Sequence, residues 1–526
     1  MVLYNFIILI IVSISLYLYW CVKKAHLYFE KLGIPYIKPT LVLGNIKDVV
    51  LLRTSIAEWY ADMYRQLDPH KLGGIFIGTQ PVIMIRDPDL IRNILVRDFG
   101  YFCDRGFDVD PEIEPMSNHL FFMKGDDWKN LRRNLTSIFT TSKMKFMFSL
   151  VRTCGEKLNE VINEKTYDES LEAKDLFSRY TCDVIGSCVF GLDSKSLDNP
   201  NSEFRIVGKK IFRFRFKSLI RMLKVKIPKS LIKLLEITLM DRKTQNFFRD
   251  IIYNTVNYRE RNDIVRNDLL DLLIALKHDD TCILNVSKED EEDLKKFLKQ
   301  VGSHAEDKND TKITNEVMAA QALLFFLAGF ETSSTNLTYV LLELAQNKHI
   351  QDKVRHEIHQ VLSSNNDELN YDVLKQMTYT DMVIAEALRK YPPLALLFRT
   401  AVQNYQVPGS KVIIPTGTQI IISINGLHMD EKYFDNPQEF RPERFSGVEE
   451  EKSFTYLPFG DGPRYCIGSR FSKLTVKTGL IYALKNFSYR ISPRMKFPLK
   501  FEKNFGLLSP SNEILLVREK ITSACV

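Results

Sequence analysis

The chain lacks most of what marks a disulfide, zinc or nucleotide scaffold. Its eight cysteines (Cys21, Cys103, Cys154, Cys182, Cys188, Cys282, Cys466 and Cys525) are scattered and include no CxxC pair. That excludes a disulfide framework and a zinc ribbon, and it fits free thiols in a reducing compartment. No repeat and no long low-complexity tract occurs. Charge imbalance is also slight: 72 basic against 65 acidic residues give +7 over 526 residues. An excess that thin does not argue for nucleic acid as a partner. Apolar residues reach 45% and charged ones 26%, so the composition is that of a globular chain with a large core.

Charge is missing altogether from Met1 to Val22, which contains the run FIILIIVSISLYLYW. As a helix at ~1.5 Å per residue this segment is long enough for a bilayer core. Tyr17, Tyr19 and Trp20 gather near its end, where amphipathic rings favour an interface, and Lys23 and Lys24 follow at once. A cleaved signal peptide fits less well: the apolar stretch is long, its charges come after it, and no small-residue cleavage site follows. The expected organisation is a transmembrane anchor at 1–22, a basic and proline-rich hinge at 23–45 (with Pro35 and Pro39), and one catalytic domain at 46–526. Acids are likewise absent from 205–233, which carries eleven Lys/Arg among Phe, Leu and Ile. Such a segment suits an anionic leaflet, or equally an ordinary cationic helix face.

What is present is mostly helical periodicity, at roughly 126–145, 150–165, 240–277, 315–347 and 373–391. Extended segments are few, near 73–87 and 400–424, and 278–312 is a polar connection. The predicted fold class is mainly α with small β-sheets.

Chemistry concentrates in Phe459-Gly460-Asp461-Gly462-Pro463-Arg464-Tyr465-Cys466-Ile467-Gly468. Its glycines allow a tight loop with N–H groups turned inward, and a helix predicted over Ser469–Leu484 opens directly after it. Backbone donors and a helix N-terminus both favour a thiolate. Phe459 can shield the sulfur, and Arg464 offers a cation to an anionic group. The GDG run lacks the third glycine of a dinucleotide loop. This FxxGxRxCxG pattern resembles the haem-binding loop of cytochrome P450 enzymes.

Further motifs of that family occur in order. Ala328-Gly329-Phe330-Glu331-Thr332 sits in a long apolar helix and is similar to the oxygen-activation motif. Gly329, without a Cβ, is expected to let a flat macrocycle approach. Thr332 is expected to bond back to the Ala328 carbonyl, and Glu331 with Thr332 to hold proton-carrying waters. Glu386 and Arg389 form ExxR, with Arg444 of Phe440–Phe445 as third partner, all three assigned to folding and loop support. Trp128 and Arg132 match WxxxR, and with Arg399 and Arg464 they are the implied contacts of the haem propionates. The wording GFETSS, FRPERF and LPFGDGPR looks most like the insect microsomal detoxification group, from which Tyr465 departs where Asn is common.

The resemblance implies a monooxygenase with haem b, ligated by Cys466 and supported by Phe459 and Gly468. It acts on O2 and a hydrophobic small molecule. Implied partners are NADPH–cytochrome P450 reductase, a cytochrome b-type protein and membrane lipid, with residence in the endoplasmic reticulum membrane and the catalytic domain cytosolic. Lys143 and Lys145 are candidates for reductase docking by analogy. The rival readings are a haem-thiolate isomerase or dehydratase needing no outside electrons, and a haem sensor or carrier. Expected substrate-lining segments are 101–124, Phe325–Phe330, Leu394–Phe398 and Phe505–Leu508. The acids at 104, 108, 110, 112 and 114 read as a solvated loop face.

Overall fold

The computed structural model describes residues 2–164, 170–212, 229–234, 237–266, 268–278, 313–447, 454–503 and 507–520. Most of the basic segment 205–233, nearly all of the polar connection 278–312 and Phe505 lie outside them.

Among the described residues nine short strands form three sheets: β1 (Leu72–Ile77), β2 (Gln80–Ile85), β3 (Leu171–Glu172), β4 (Leu396–Thr400), β5 (Tyr405–Gln406), β6 (Ile413–Ile414), β7 (Gln419–Ser423), β8 (Phe487–Ile491) and β9 (Leu515–Lys520). The largest sheet has the order β1-β2-β7-β4. Its β2 and β7 run parallel, with Val82 opposite Gln419, although most of the core helices lie between them in sequence. β3-β9-β8 and β5-β6 make the smaller sheets. Helices dominate the remainder, and seven matter most: α1 (Val2–His26), α2 (Gly125–Thr136), α3 (Thr141–Glu164), α4 (Ala173–Ile185), α5 (Asn315–Gln346), α6 (Thr378–Lys390) and α7 (Ser469–Leu484).

The helix expected at 126–145 is two helices, because a 3-10 turn at Ser137–Phe139 breaks it. The one expected at 240–277 is divided at Asp263, whose φ of 48° takes the chain out of the helical region. Residues Ser469–Leu484 are helical as expected.

α5 is the axis of the core. Thr314 caps it by accepting from the Val317 N–H. A helix apolar on all sides has to be buried or spanning. Here it is packed against α4, α6 and α7, and its least polar stretch is 72% buried. One apolar cluster surrounds α3–α7 and a second fills the face of the large sheet; Tyr391 and Phe501 touch both. α1, equally apolar, has the opposite environment: Tyr4, Phe6, Leu9, Leu16, Tyr17 and Trp20 are all exposed.

Candidate active site

The loop before α7 is shaped by glycine. Gly460 has φ 71° and Gly462 φ 70°, conformations that other residues adopt only under strain. A Cβ on Gly462 would also lie 1.9 Å from the Leu95 carbonyl oxygen. The Cys466 N–H donates to the Phe459 carbonyl at 3.0 Å, and the Gly468 N–H donates to the Cys466 sulfur. Burial pushes the Cys466 thiol up, while that N–H and the cations Arg132 and Arg105 act to lower it. The side chain is nevertheless exposed. An atom that is both enclosed by protein and accessible lies on the wall of an internal cavity.

α5 presents a second accessible surface. Along a helix buried almost throughout, Leu324, Leu327, Ala328, Gly329 and Thr332 are left at least partly open, and Leu324, Ala328 and Thr332, at a spacing of four, share one stripe. Thr332 donates its hydroxyl to the Ala328 carbonyl, the back-bond expected of it. Two neighbours differ from expectation. The missing Cβ of Gly329 does not face the cavity: it would lie 2.3 Å from Cδ1 of Ile185, so the glycine admits α4 instead. Ala328 is the small residue on the open stripe. Glu331 turns the same way, pairing with Lys174 of α4 at 2.8 Å and accepting from the Ser509 hydroxyl at 2.8 Å. Burial acts to raise its pKa, but Lys174 and Ser509 outweigh that and hold the carboxylate below its usual range. Glu331 is therefore an anion locked to α4, not a group standing beside the Thr332 hydroxyl.

Between the loop, α2 and β4 lies a group of cations, Arg399 and Arg464 buried and Arg105 and Arg132 half-buried. Arg464 donates to the carbonyls of Cys103, Leu120 and Met123, and its guanidinium stacks on Trp128 at 3.7 Å. Arg399 is on β4, on the same face as Leu397, whose side chain packs against Gly460 of the loop. Arg132 comes from α2. The fourth member, Arg105, belongs to none of the sequence motifs; it donates to the Phe121 and Arg464 carbonyls. A signal does exist, since Arg105 is the only Lys or Arg between Tyr101 and Met123. Burial lowers the pKa of Arg132 and Arg399 to about 10, and burial with repulsion from Arg399 and Arg132 lowers Arg105 to about 9. Arg464 is lowered as well. Arg105, Arg132 and Arg399 stay charged at neutral pH. Among the described residues the acid within reach is Asp104, 3.7 Å from Arg464, and the Nε atoms of Arg132 and Arg399 are buried without a partner. Such a cluster is an anion-binding site with room for more than one negative charge.

A thiol on the cavity wall, a flat open helix face and clustered guanidiniums fit the haem that the resemblance implies, its propionates meeting the arginines. In the segments expected to line the substrate space, Phe107 packs on Phe121, Phe122 and Phe398 at 5.6, 5.3 and 5.3 Å. Phe326 and Phe330, expected to line this space, belong to the core instead: they stack on each other, and Phe326 packs on Phe204 and Phe248. The acidic loop also differs from expectation. Glu114 is buried and accepts from the Met240 N–H, while Asp108 and Glu112 are exposed.

The ExxR group lies behind the loop. Arg389 makes a two-pronged contact with Glu386, both bonds at 2.8 Å and both side chains fully buried. Arg444 reaches the same carboxylate at 3.3 Å. Lys145, one of the docking candidates, is paired with Asp372 at 2.9 Å.

A family model described as Cytochrome P450 matches residues 35–518. Cytochrome P450 6k1 of Blattella germanica is 36% identical over 519 residues, covering 98% of this chain and 97% of that protein. Probable cytochrome P450 6a13 of Drosophila melanogaster is 36% identical over 517 residues, 98% of both. Cytochrome P450 6A1 of Musca domestica is 35% identical over 527 residues, 97% of both.

Proposed function

Since this chain belongs to the cytochrome P450 family and is thereby a haem monooxygenase, we propose that it inserts one oxygen atom into hydrophobic small molecules at the cavity between Cys466 and the Leu324–Ala328–Thr332 stripe. The observation that carries this reading is the pairing of an enclosed, accessible Cys466 with clustered arginines that outnumber the acids described near them. Haem b held by Cys466 would supply activation of O2, with one oxygen atom passing to substrate and the other leaving as water.

The chain's own residues do the rest. Arg105, Arg132, Arg399 and Arg464 would hold the propionates. The Gly468 N–H moderates the basicity of the sulfur, and Phe459 keeps water from it. The Thr332 hydroxyl, directed by the Ala328 carbonyl, is placed to pass protons to the reacting oxygen. An apolar substrate class is supported by the aromatic cluster of Phe107, Phe121, Phe122 and Phe398 in the expected lining segments. Plant toxins, insecticides, other xenobiotics, hormones and lipids all meet that requirement.

Electrons come from NADPH through a separate reductase, aided by a cytochrome b-type protein, as the family resemblance implies. Residues 1–22 anchor the chain in the endoplasmic reticulum membrane. Supporting that placement, α1 exposes its apolar side chains, and Lys23 and Lys24 lie over the rings of Tyr19 and Trp20 at its end.

The deciding measurement is the carbon monoxide difference spectrum of the dithionite-reduced protein beside Cys466→Ala. A strongly red-shifted Soret band in wild type, absent from the variant, is expected. Haem-loaded, folded wild type without that band would remove Cys466 as ligand. Substrate-responsive, NADPH-dependent oxygen consumption with reductase then separates a monooxygenase from an isomerase or a carrier, which would show none.

A further inference from the structure

His428 takes no part in the chemistry above, yet its ring is bonded at both nitrogens. It ends the short helix Ile424–His428 after β7 and is wholly buried. Nε2 lies 2.8 Å from the Leu457 backbone nitrogen, and Nδ1 lies 3.0 Å from the Arg389 carbonyl oxygen. A ring nitrogen facing an N–H has to accept, so the proton sits on Nδ1 and is donated to Arg389. The Arg389 guanidinium returns a bond to the His428 carbonyl at 3.0 Å. One face of the ring stacks on Tyr456 at 5.3 Å, and Phe434 meets it edge-on at 6.0 Å. Burial lowers the imidazole pKa to about 3, so the ring is neutral.

Leu457 begins the ligand loop: its carbonyl accepts from Gly460 N–H at 3.0 Å, and the Phe459 carbonyl accepts from Cys466 N–H at 3.0 Å. A chain of hydrogen bonds thus leads from the Glu386–Arg389 pair through one imidazole to the turn that holds the ligand. The Tyr456 hydroxyl makes a separate tie from the same segment to the Ala385 carbonyl at 3.0 Å, bypassing the Leu457 N–H.

We infer that His428 is the positioning residue that couples the buried Glu386–Arg389–Arg444 group to the Cys466 loop, holding the sulfur at its ligating position through the Leu457 N–H. The inference rests on the haem-thiolate reading of the site. Phenylalanine keeps the stacked ring and removes both bonds. Glutamine places an oxygen within reach of Leu457 and gives up the donor to Arg389.

The test uses the full-length haem-loaded chain as wild type, H428F, H428Q and Y456F. Two quantities are read: the rate at which the red-shifted carbon monoxide band is lost on mild warming, and amide hydrogen exchange along the chain. H428F is expected to lose the band about tenfold faster, the factor that follows from leaving one buried N–H without its acceptor. Its extra exchange should be confined to 455–466. H428Q should lie between H428F and wild type, and Y456F should stay within about twofold of wild type because the Leu457 bond is intact. If H428F does not accumulate folded, H428Q decides by the same local exchange.

An H428F protein that keeps the band as long as wild type overturns the coupling. So does one that loses it only in step with exchange raised everywhere, or a Y456F protein as labile as H428F. Wild type with haem but no such band would instead remove the haem-thiolate reading itself, and this inference with it.

Discussion

Arg389 and Arg399 are ten residues apart and both are buried, but they are buried for opposite ends. Arg389 finds its counter-charge inside the fold: Glu386 meets it through two bonds, and the carbonyls of His428 and Pro437 take up further donors. Arg399 meets no carboxylate among the described residues. It donates to the Phe398 carbonyl, and its Nε has no partner. A charge taken out of water needs compensation. Where the fold supplies it, the arginine is part of the frame; where it does not, the arginine waits for a ligand. By that criterion Arg389 is structural, and Arg105, Arg132 and Arg399 are binding groups.

The largest effect that tests the distinction comes from removing the internal counter-charge. Glu386→Gln leaves Arg389 and Arg444 facing a neutral amide in a fully buried setting. Breaking a buried pair on one side costs about 3–5 kcal/mol, a large share of a domain's net stability of about 5–15 kcal/mol. Soluble expression should fall steeply, and a urea titration of what remains should show the midpoint moved down with or without haem. A Glu386→Gln protein as stable as wild type would mean that the pair is not part of the frame.

The second effect has the other sign in the free protein. Arg399→Met removes a buried charge that has no internal partner, so the thermal midpoint of the haem-free chain should hold or rise. Haem retention should weaken about 10- to 100-fold, the range for losing hydrogen bonds to a charged group. Transfer of haem to excess apomyoglobin reads this directly. If haem-free Arg399→Met were destabilised as strongly as Glu386→Gln, the two classes of arginine would be one.

These same residues show how far the sequence alone can be read. ExxR, Arg444 and the Cys466 loop are legible because each is a local spacing with little freedom, and α7 begins and ends where its periodicity does. Which side of α5 faces the cavity is not legible. Helical spacing alone does not say which side of a mostly apolar helix opens, so the sequence assigns Phe326 and Phe330 to a cavity they turn away from, and does not show that the space beside the Gly329 Cα is filled by Ile185 of α4. Arg105 escapes notice because the acids around it suggest a solvated loop. Its burial is decided by contacts with Arg464, 359 residues away. α1 and α5 teach the same lesson at larger scale: both carry long apolar runs, one exposes Tyr4, Phe6, Leu9, Leu16, Tyr17 and Trp20 and the other is the core, and only the packing of the rest of the chain separates them.

The smallest effect concerns Glu331, which lies between the two classes because its counter-charge is internal but sits beside the site. With Lys174 in place its folded pKa is depressed. The stability it contributes is therefore present above the unfolded carboxylate value of about 4.3 and lost as pH falls through the folded value, so between pH 7 and 5 this group leaves wild type unchanged. In Lys174→Met the principal lowering partner is gone, leaving the Ser509 hydroxyl and Lys209 against burial, and burial is expected to prevail and raise the folded pKa above the unfolded one. A buried, unpaired carboxylate then destabilises the variant at neutral pH and is relieved as it takes up a proton. The gap in stability between wild type and Lys174→Met, read by urea titration, should be widest near pH 7 and narrow toward pH 5. Its slope is at most about 1.4 kcal/mol per pH unit, the value for one proton taken up. A gap that stays constant or widens on acidification would show that Lys174 does not govern the charge of Glu331, and that this acid is free to turn toward Thr332.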